Sequence, residues 1–256
     1  QKMFSRWFIL PFRPLLSIGF KNASAVQAIS TYLAEWAHRM GYRGAVHVIP
    51  NGVDIVRFAT VKHRVFDTVK HTMLVTTSRL VHKNAIDEVI RALAFLPDTV
   101  HFLIYGIGPD ESTLKSLAKR LGVERRVTFK GHIDHSELPR ALDECDMFIR
   151  PSRSEGMGNS FIEAMAAELP VIATQEGGIA DFLFDAKRNP DKETTGWAVD
   201  ADSPEQIAAA VQDILAHPEQ VVRVKAAAKK LVVEKYDWNL SARKMRALFD
   251  RVLESQ

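Results

Sequence analysis

The feature that most limits the fold of this chain is an alternation, from about residue 45 onward, between short β-forming runs and segments of helical periodicity. Such alternation is typical of βαβ units, in which the strands are parallel and helices cover both faces of the sheet. The sequence therefore predicts an α/β fold with a Rossmann-like parallel sheet. The predicted strands are Ala45–Ile49, Met73–Thr77, Val100–Tyr105, Arg126–Lys130, Asp146–Ile149 and Val171–Thr174.

The segments between these strands have the apolar spacing of amphipathic helices. An earlier unit, with a strand at Ala25–Ile29 and a helix at Thr31–Met40, precedes the main alternation. The residues from Pro204 to Glu254 predict three further helices and no strand, with proline at the first position of the first helix. One face of the helix after the second main strand carries Ile86, Val89, Ile90, Leu93 and Leu96.

The net charge of +3 is concentrated at the start of the chain. Residues 1–22 contribute +4 through Lys2, Arg6, Arg13 and Lys21 and contain no acidic residue, which leaves −1 for the remainder. A nucleic-acid-binding protein is expected to carry its positive charge over the main domain. The charge distribution therefore predicts that nucleic acid is not a partner.

Residues 1–22 have two interpretations. The favoured one is a helical segment of a preceding domain, because prolines interrupt any long amphipathic face. The alternative is a cationic, aromatic surface in peripheral contact with anionic lipid. The apolar run is too short to cross a bilayer and lacks a cleavage site of small residues, so we interpret the start as a truncation. The residues expected to pack are Trp7, Phe8, Leu15 and Leu16.

Cys145 is the single cysteine, so no internal disulfide can form and a reducing compartment fits. It lies in an amphipathic run, and no basic residue stands beside it at helical spacing. A buried thiol is therefore favoured over a nucleophile. These observations predict a cytoplasmic protein, at the inner face of the membrane if the lipid interpretation of residues 1–22 holds.

The strongest chemical signal is the run PSRSEGMGNSFIEAMA at residues 151–166. Gly156 and Gly158 allow close approach of the backbone to a ligand, and a helix is predicted to begin near Asn159 or Ser160. Its unpaired N–H groups and positive dipole end form an anion-binding site. Two acids flank that site, Glu155 before it and Glu163, which is expected in the first helical turn.

The seven residues between Glu155 and Glu163 make this run resemble the Glu-x7-Glu motif of glycosyltransferase family 4, whose members have the GT-B fold and retain the anomeric configuration. Further segments resemble that family in the family's order, from about residue 23 to the end of the chain. These are VIPNGVD at 48–54, RLVHK at 79–83, YGIGP at 105–109, FKGHI at 129–133, EAMAAELPVIAT at 163–174 and GGI at 177–179.

The resemblance implies a nucleoside-diphosphate sugar as donor, linked to UDP, GDP or ADP, and a sugar or lipid-linked acceptor. Arg79 and Lys83, four residues apart after a strand, can converge on the diphosphate, so no metal or other cofactor is expected. Glu163 can accept hydrogen bonds from ribose hydroxyls, and Glu155 can face the transferred sugar. The remaining donor-binding candidates are Gly106, His132, Ile133, Gly156, Met157, Gly158, Asn159 and Ser160, with base contacts expected from the backbone at His132 and Ile133.

The resemblance also implies a domain organisation. Residues 1–54 are expected to be the remnant of an acceptor-side domain, with a strand and helix at 25–40 and a linker at 50–58. Residues 55–235 are expected to form the donor-binding domain, and residues 236–256 a helix that crosses back toward the first domain. Glu168 stands where the family usually has glycine, so either its φ is positive and strained or the helix continues for another turn.

Three alternatives compete with the transferase hypothesis. A nicotinamide-binding site would need a third glycine at residue 111, after Gly106 and Gly108, but that residue is Glu111. A sugar-nucleotide epimerase matches the ordered motifs less well. The serious alternative is a truncated nucleotide-sugar-binding module without catalytic activity, because the acceptor-side domain is expected to be incomplete.

Overall fold

The computed structural model describes residues 13–59 and 71–254. Every predicted strand is present, and most of their ends shift by only one or two residues because hydrogen bonding, not composition, sets where a strand stops. The strands are β1 (Val26–Ala28), β2 (Val46–Val48), β3 (Thr72–Thr77), β4 (Val100–Tyr105), β5 (Val127–Gly131), β6 (Met147–Arg150), β7 (Val171–Ala173) and β8 (Trp197–Ala198). The two-residue strand β8 was not predicted.

Six of these strands form one parallel sheet, in the order β5-β4-β3-β6-β7-β8. The chain builds outward from β3 to β5 and then returns to the other side of β3 to start β6. The strand order therefore reverses between β3 and β6. In open parallel sheets, ligands bind beyond the carboxyl ends of the strands at this point of reversal.

Helices cover both faces of the sheet, as the alternation predicted. The α-helices are α1 (Arg13–Asn22), α2 (Thr31–Arg39), α3 (Ile55–Ala59), α4 (Ile86–Ala92), α5 (Glu111–Arg120), α6 (Leu138–Asp143), α7 (Asn159–Ala166), α8 (Pro204–Ala216), α9 (Pro218–Lys235) and α10 (Trp238–Glu254). The last three confirm the prediction of three C-terminal helices.

Two hydrophobic clusters lie on opposite faces of the sheet. One contains Leu74 and Phe102 from the sheet together with apolar residues of α4, α5 and α8. The other contains Phe148 and Val171 together with apolar residues of α7 and α9. Because both faces are buried, strands such as β6 have no exposed residue.

The chain before residue 50 forms a smaller unit. Strands β1 and β2 make a separate parallel pair, and α2 connects them. The predicted linker at 50–58 contains regular structure, namely most of α3 and a parallel bridge between Val53 and Asp237, just before α10. In α1, Leu15 was expected to pack but is exposed, while residues 1–12 lie outside the described part of the chain.

Two details of the sequence prediction are resolved by the backbone. Helix α7 ends at Ala166, and Glu168 has a φ of 51°, so the alternative in which the helix continues is wrong. The Glu168 carboxylate forms an ion pair with Lys229 of α9, which holds this strained residue against the neighbouring helix. Cys145 is buried, as predicted, and its thiol donates to the carbonyl of Ala141.

Within residues 13–59 and 71–254, no helix combines the length and hydropathy that a membrane crossing would require.

Candidate functional site

The site is built around the start of α7, which follows β6 at the carboxyl edge of the sheet. Gly158 precedes the helix with a φ of 85°, and a side chain there would lie 2.6 Å from the Phe161 ring and 2.8 Å from the Arg150 guanidinium. Only glycine fits this close approach. The helix begins at Asn159, as predicted, and its first N–H groups lack helical partners and can bind an anion.

Arg150, the last residue of β6, lies beneath this loop with a buried side chain. Its Nη1 donates to the carbonyl of Thr77 (3.3 Å) and to the hydroxyl of Ser160 (2.8 Å). Its guanidinium carbon lies 4.2 Å from the centre of the Phe161 ring. Burial lowers the pKa of Arg150 to about 10, which leaves the guanidinium charged at neutral pH. Arg150 therefore connects β3, β6 and the start of α7.

Glu155 is held between two cations. Its Oε2 accepts from Nη2 of Arg150 at 3.1 Å, and its Oε1 accepts from the backbone N–H of Gly156 at 3.0 Å. The ammonium of Lys83 lies 3.8 Å from the same Oε1. Lys83 is half exposed, whereas Glu155 is largely buried. The fold therefore brings together two of the predicted residues and leaves the charge of Lys83 accessible from solvent.

The loop that carries Lys83 is fixed by Arg153. The guanidinium of Arg153 makes a bidentate ion pair with Asp87 (2.8 and 2.9 Å), and it also contacts Glu88 and Asp202. Its backbone N–H donates to the carbonyl of Lys83 at 2.8 Å. Burial alone would lower the pKa of Arg153. Hydrogen bonds to Asp87 and Asp202 and the negative charges of these two residues outweigh burial and raise this pKa. The loops after β3 and β6 are thus joined at the edge of the site.

Glu163 lies in the second turn of α7, as its fifth residue, so the prediction that it lies in the first turn is wrong. Its side chain is largely buried, and its Oε1 is 3.0 Å from Nε2 of His135. Nδ1 of His135 is in turn 3.1 Å from Nη1 of Arg57 in α3. Because Glu163 is too deep in the helix to cap its N-terminus, helix-dipole complementation does not explain its position.

The other predicted residues lie along the same edge of the sheet. Arg79 is exposed after β3, and its carbonyl accepts from the Asn84 side chain. Gly106 follows β4 and donates its N–H to Gly131. His132 is exposed, whereas Ile133 is partly buried against the second cluster. In the loop before α7, Met157 is buried and Gly156 is partly exposed. At the start of α7, Asn159 contacts Asn51 at 3.2 Å and the Ser160 hydroxyl accepts from Arg150.

Four basic residues of the site were missed by sequence reasoning, namely Arg150, Arg153, His135 and Arg57 of α3. Arg150 stands in an apolar run that ends a strand, and a charged residue there is a sign of a buried ion pair. Arg153 and His135 lie in polar loops, where basic residues are common. Only their distant partners distinguish them from ordinary surface charges.

Comparison with known proteins gives three kinds of match. The family model described as glycosyl transferases group 1 matches residues 62–231. The GDP-mannose-dependent alpha-(1-6)-phosphatidylinositol monomannoside mannosyltransferase of Mycolicibacterium smegmatis is 31% identical over 263 residues, covering 94% of this chain and 66% of that protein. HepE of Anabaena, crystallised with UDP and glucose, has a TM-score of 0.82 at 20% identity, covering 93% of this chain and 66% of that one.

A second solved structure has the same architecture. Sucrose-phosphate synthase of Thermosynechococcus elongatus has a TM-score of 0.81 at 24% identity, over 97% of this chain and 62% of that chain. At these identities the likeness concerns the fold, and it confirms the predicted GT-B-type Rossmann-like sheet. The chain spans just under two thirds of the length of the mannosyltransferase that it matches.

Proposed function

This chain belongs to the group 1 glycosyl transferases, and on that premise we propose that it carries the donor site of a retaining family 4 enzyme. The enzyme transfers a sugar from a nucleoside-diphosphate sugar to an acceptor hydroxyl. The observation that supports this most strongly is the meeting of Lys83, Glu155 and the start of α7 where the strand order reverses. That edge combines cationic and anion-binding groups with buried carboxylates.

The charges of the site match those that develop in the reaction. As the bond between the anomeric carbon and the diphosphate oxygen breaks, negative charge grows on the diphosphate and positive charge on the sugar. Arg79, Lys83 and the N–H groups at the start of α7 would stabilise the diphosphate. Glu155 would face the sugar, and no metal is needed in this proposal. The acceptor oxygen bonds to the anomeric carbon as the nucleoside diphosphate and the hydroxyl proton leave.

We propose GDP-mannose as the donor and a phosphatidylinositol-linked mannoside as the acceptor class. The support is the 31% identity to a mannosyltransferase whose name gives both. The UDP seen with HepE supports only the general nucleotide class, because that likeness concerns the fold. A lipid-linked acceptor would bring the protein to the inner face of a membrane, where the cationic residues 1–22 could contact anionic lipid.

The first test is a calorimetric titration of this chain with GDP, UDP and ADP and with their mannose or glucose conjugates. We expect GDP-mannose to bind, and replacing both Arg79 and Lys83 with alanine to abolish that binding because the diphosphate loses its cations. In a transfer assay, removing either cation should raise the barrier by about 2.7–4 kcal/mol, the scale for a lost oxyanion donor.

The control is Lys192→Ala, which removes an exposed cation in the polar loop at residues 185–195, where its ammonium lies over the Phe184 ring. Its binding should equal that of the unchanged chain. Binding of UDP-glucose in preference to GDP-mannose would overturn the donor assignment. Absence of binding to every nucleotide would contradict the donor site itself, and binding without transfer would support the alternative of a module without catalytic activity.

A further inference from the structure

We propose that His135 and Arg57 are positioning residues that fix Glu163 for recognition of the ribose, and so set the preference for a ribonucleotide over a deoxyribonucleotide. The inference rests on the proposed function, because it assigns the nucleotide end of the same site. The three side chains form a line from α3, through the loop before α6, to α7. The contacts are 3.1 Å from Arg57 to His135 and 3.0 Å from His135 to Glu163.

The two contacts select one tautomer of the histidine. A guanidinium can only donate, so Nδ1 of His135, which faces Arg57, must accept. The ring hydrogen then lies on Nε2, which donates to the Glu163 carboxylate. The hydrogen bond made by one ring nitrogen decides which nitrogen carries the proton. Arg57 therefore fixes His135 as a donor toward Glu163.

The ring of His135 is also held by packing. It meets the buried Phe58 ring edge-on, with the ring centres 6.2 Å apart. Phe58 and Arg57 are adjacent in α3, so the same short helix supplies the packing surface and the hydrogen bond. His135 itself is more than half exposed, at 57% for its side chain. A ring on an accessible loop is thus oriented by two neighbouring residues of one helix.

A hydrogen bond to one oxygen restricts how the Glu163 carboxylate can rotate. Glu163 is largely buried, while the acceptor capacity of a carboxylate exceeds one bond. With His135 fixing Oε1, the remaining lone pairs keep one orientation, in which they can accept from the 2′- and 3′-hydroxyls of a ribose. A carboxylate arranged in advance loses less freedom when the nucleotide binds. His135 is therefore expected to increase the contribution of the ribose hydroxyls to the affinity for the nucleotide.

The decisive measurement is the ratio of two affinities, for GDP and for 2′-deoxy-GDP, determined by calorimetry on the whole chain. The variant is His135→Phe, which keeps a ring against Phe58 and removes both ring nitrogens, the donor to Glu163 and the acceptor for Arg57. We expect the preference of the unchanged chain for GDP to fall about tenfold in this variant, which is about 1.4 kcal/mol. Arg57→Met should reduce it less, because His135 can still present Nε2–H in one tautomer.

The ratio of the two affinities separates a positioning role from a structural one. A partly unfolded protein would lose affinity for GDP and for 2′-deoxy-GDP equally, and the ratio would not change. His135→Gln, whose amide can donate to Glu163, should recover part of the preference. The matched control is His217→Gln, since His217 has the same 57% exposure and a carboxylate partner, Asp213, at 3.0 Å in another part of the molecule. That variant should keep the full preference.

Each other outcome has a distinct meaning. A preference that survives His135→Phe but disappears in Glu163→Gln would overturn the positioning role while keeping the ribose role of Glu163. Tighter binding of GDP by His135→Phe would overturn it too, because it would show that His135 competes with the ribose for Glu163. Failure of the unchanged chain to bind either nucleotide would instead contradict the proposed function.

Discussion

Arg150 is the residue on which the geometry of the site most depends. It is a buried cation with four contacts, namely Glu155, the hydroxyl of Ser160, the carbonyl of Thr77 and the face of Phe161. Its Nε is buried without a hydrogen-bond partner among the described residues. A buried ion pair contributes little net stability compared with apolar residues, but removal of one partner is costly. We therefore interpret the pair as a device that fixes the Glu155 loop.

Arg150→Met tests this at the residue scale. We expect it to reduce the free energy of unfolding by about 3–5 kcal/mol, because Glu155 would keep its charge without its closest cation. The double variant Arg150→Met, Glu155→Gln removes that charge as well. The double variant should lose less unfolding free energy than the sum of the losses in the two single variants, by about 0.5–3 kcal/mol. The measurement is urea denaturation, and strictly additive losses would contradict the coupling.

At the scale of elements, the Glu155 loop is shaped by a second chain segment. The turn of 3-10 helix at Gly177–Asp181 follows β7 and packs its backbone against that loop, with Gly178 donating to the carbonyl of Glu155. A side chain at Gly177 would lie 1.9 Å from the same oxygen. The GGI motif that carried part of the resemblance therefore has a physical role, which is to let two loops approach within hydrogen-bond distance.

Gly177→Ala, compared with Gly122→Ala, tests this close approach. Both glycines have a positive φ, 65° and 70°, but a side chain at Gly122 would meet nothing within 4 Å. Gly122→Ala should cost roughly 1–2 kcal/mol of stability, from backbone strain alone, and leave nucleotide binding unchanged. Gly177→Ala should cost more and also displace Glu155.

The measurement is calorimetric titration of both variants with GDP-mannose and with GDP. For Gly177→Ala we expect the affinity for GDP-mannose to fall roughly tenfold more than that for GDP, or about 1.4 kcal/mol. The physical reason is that Glu155 is assigned to the sugar. If the two variants have the same affinities for GDP-mannose and for GDP, the close approach of Gly177 to the Glu155 carbonyl does not position the Glu155 side chain.

At the scale of the whole molecule, the small unit of β1, α2 and β2 is joined to the large sheet beside the site. The carboxylate of Asp181 accepts from the backbone N–H of Thr31 at 2.8 Å and from the Thr31 hydroxyl. In the same turn, a Cβ atom added at Gly178 would lie 2.8 Å from the Cβ of Ser30, the residue before α2. The 177–181 turn therefore contacts the Glu155 loop on one side and the start of α2 on the other.

Asp181→Ala should loosen this junction without unfolding the sheet. The Thr31 N–H lies at the start of α2, so losing its acceptor should cost roughly 1 kcal/mol locally. Hydrogen exchange should become faster in α2 and stay unchanged in β3 and β6, because local opening is less costly than global unfolding. Asp191→Ala, in the exposed 185–195 loop, is the control and should change neither region. Faster exchange throughout the sheet would contradict a local role.

The parallel α/β fold, the position of nearly every strand and the loop at which α7 begins could all be predicted from the amino-acid pattern. These are local properties, since strand and helix periods repeat within a few residues and the glycine loop lies beside the helix that it starts. The placement of Glu163 in the second turn rather than the first was missed because the two predicted starts, Asn159 and Ser160, differ by one residue. A start at Ser160 would make Glu163 the fourth residue of the helix, whereas the observed start at Asn159 makes it the fifth.

Which charged side chains meet could not be predicted in this way, because it depends on the arrangement of the strands in the folded protein. Lys83 reaches Glu155 because β3 and β6 are neighbours in the sheet, although they are far apart along the chain. His135 reaches Glu163 across 28 residues, and Arg57 reaches His135 across 78. Sequence patterns report whether a segment is amphipathic, but the burial and pairing of one polar side chain depend on strand order, which brings distant loops to the same edge of the sheet.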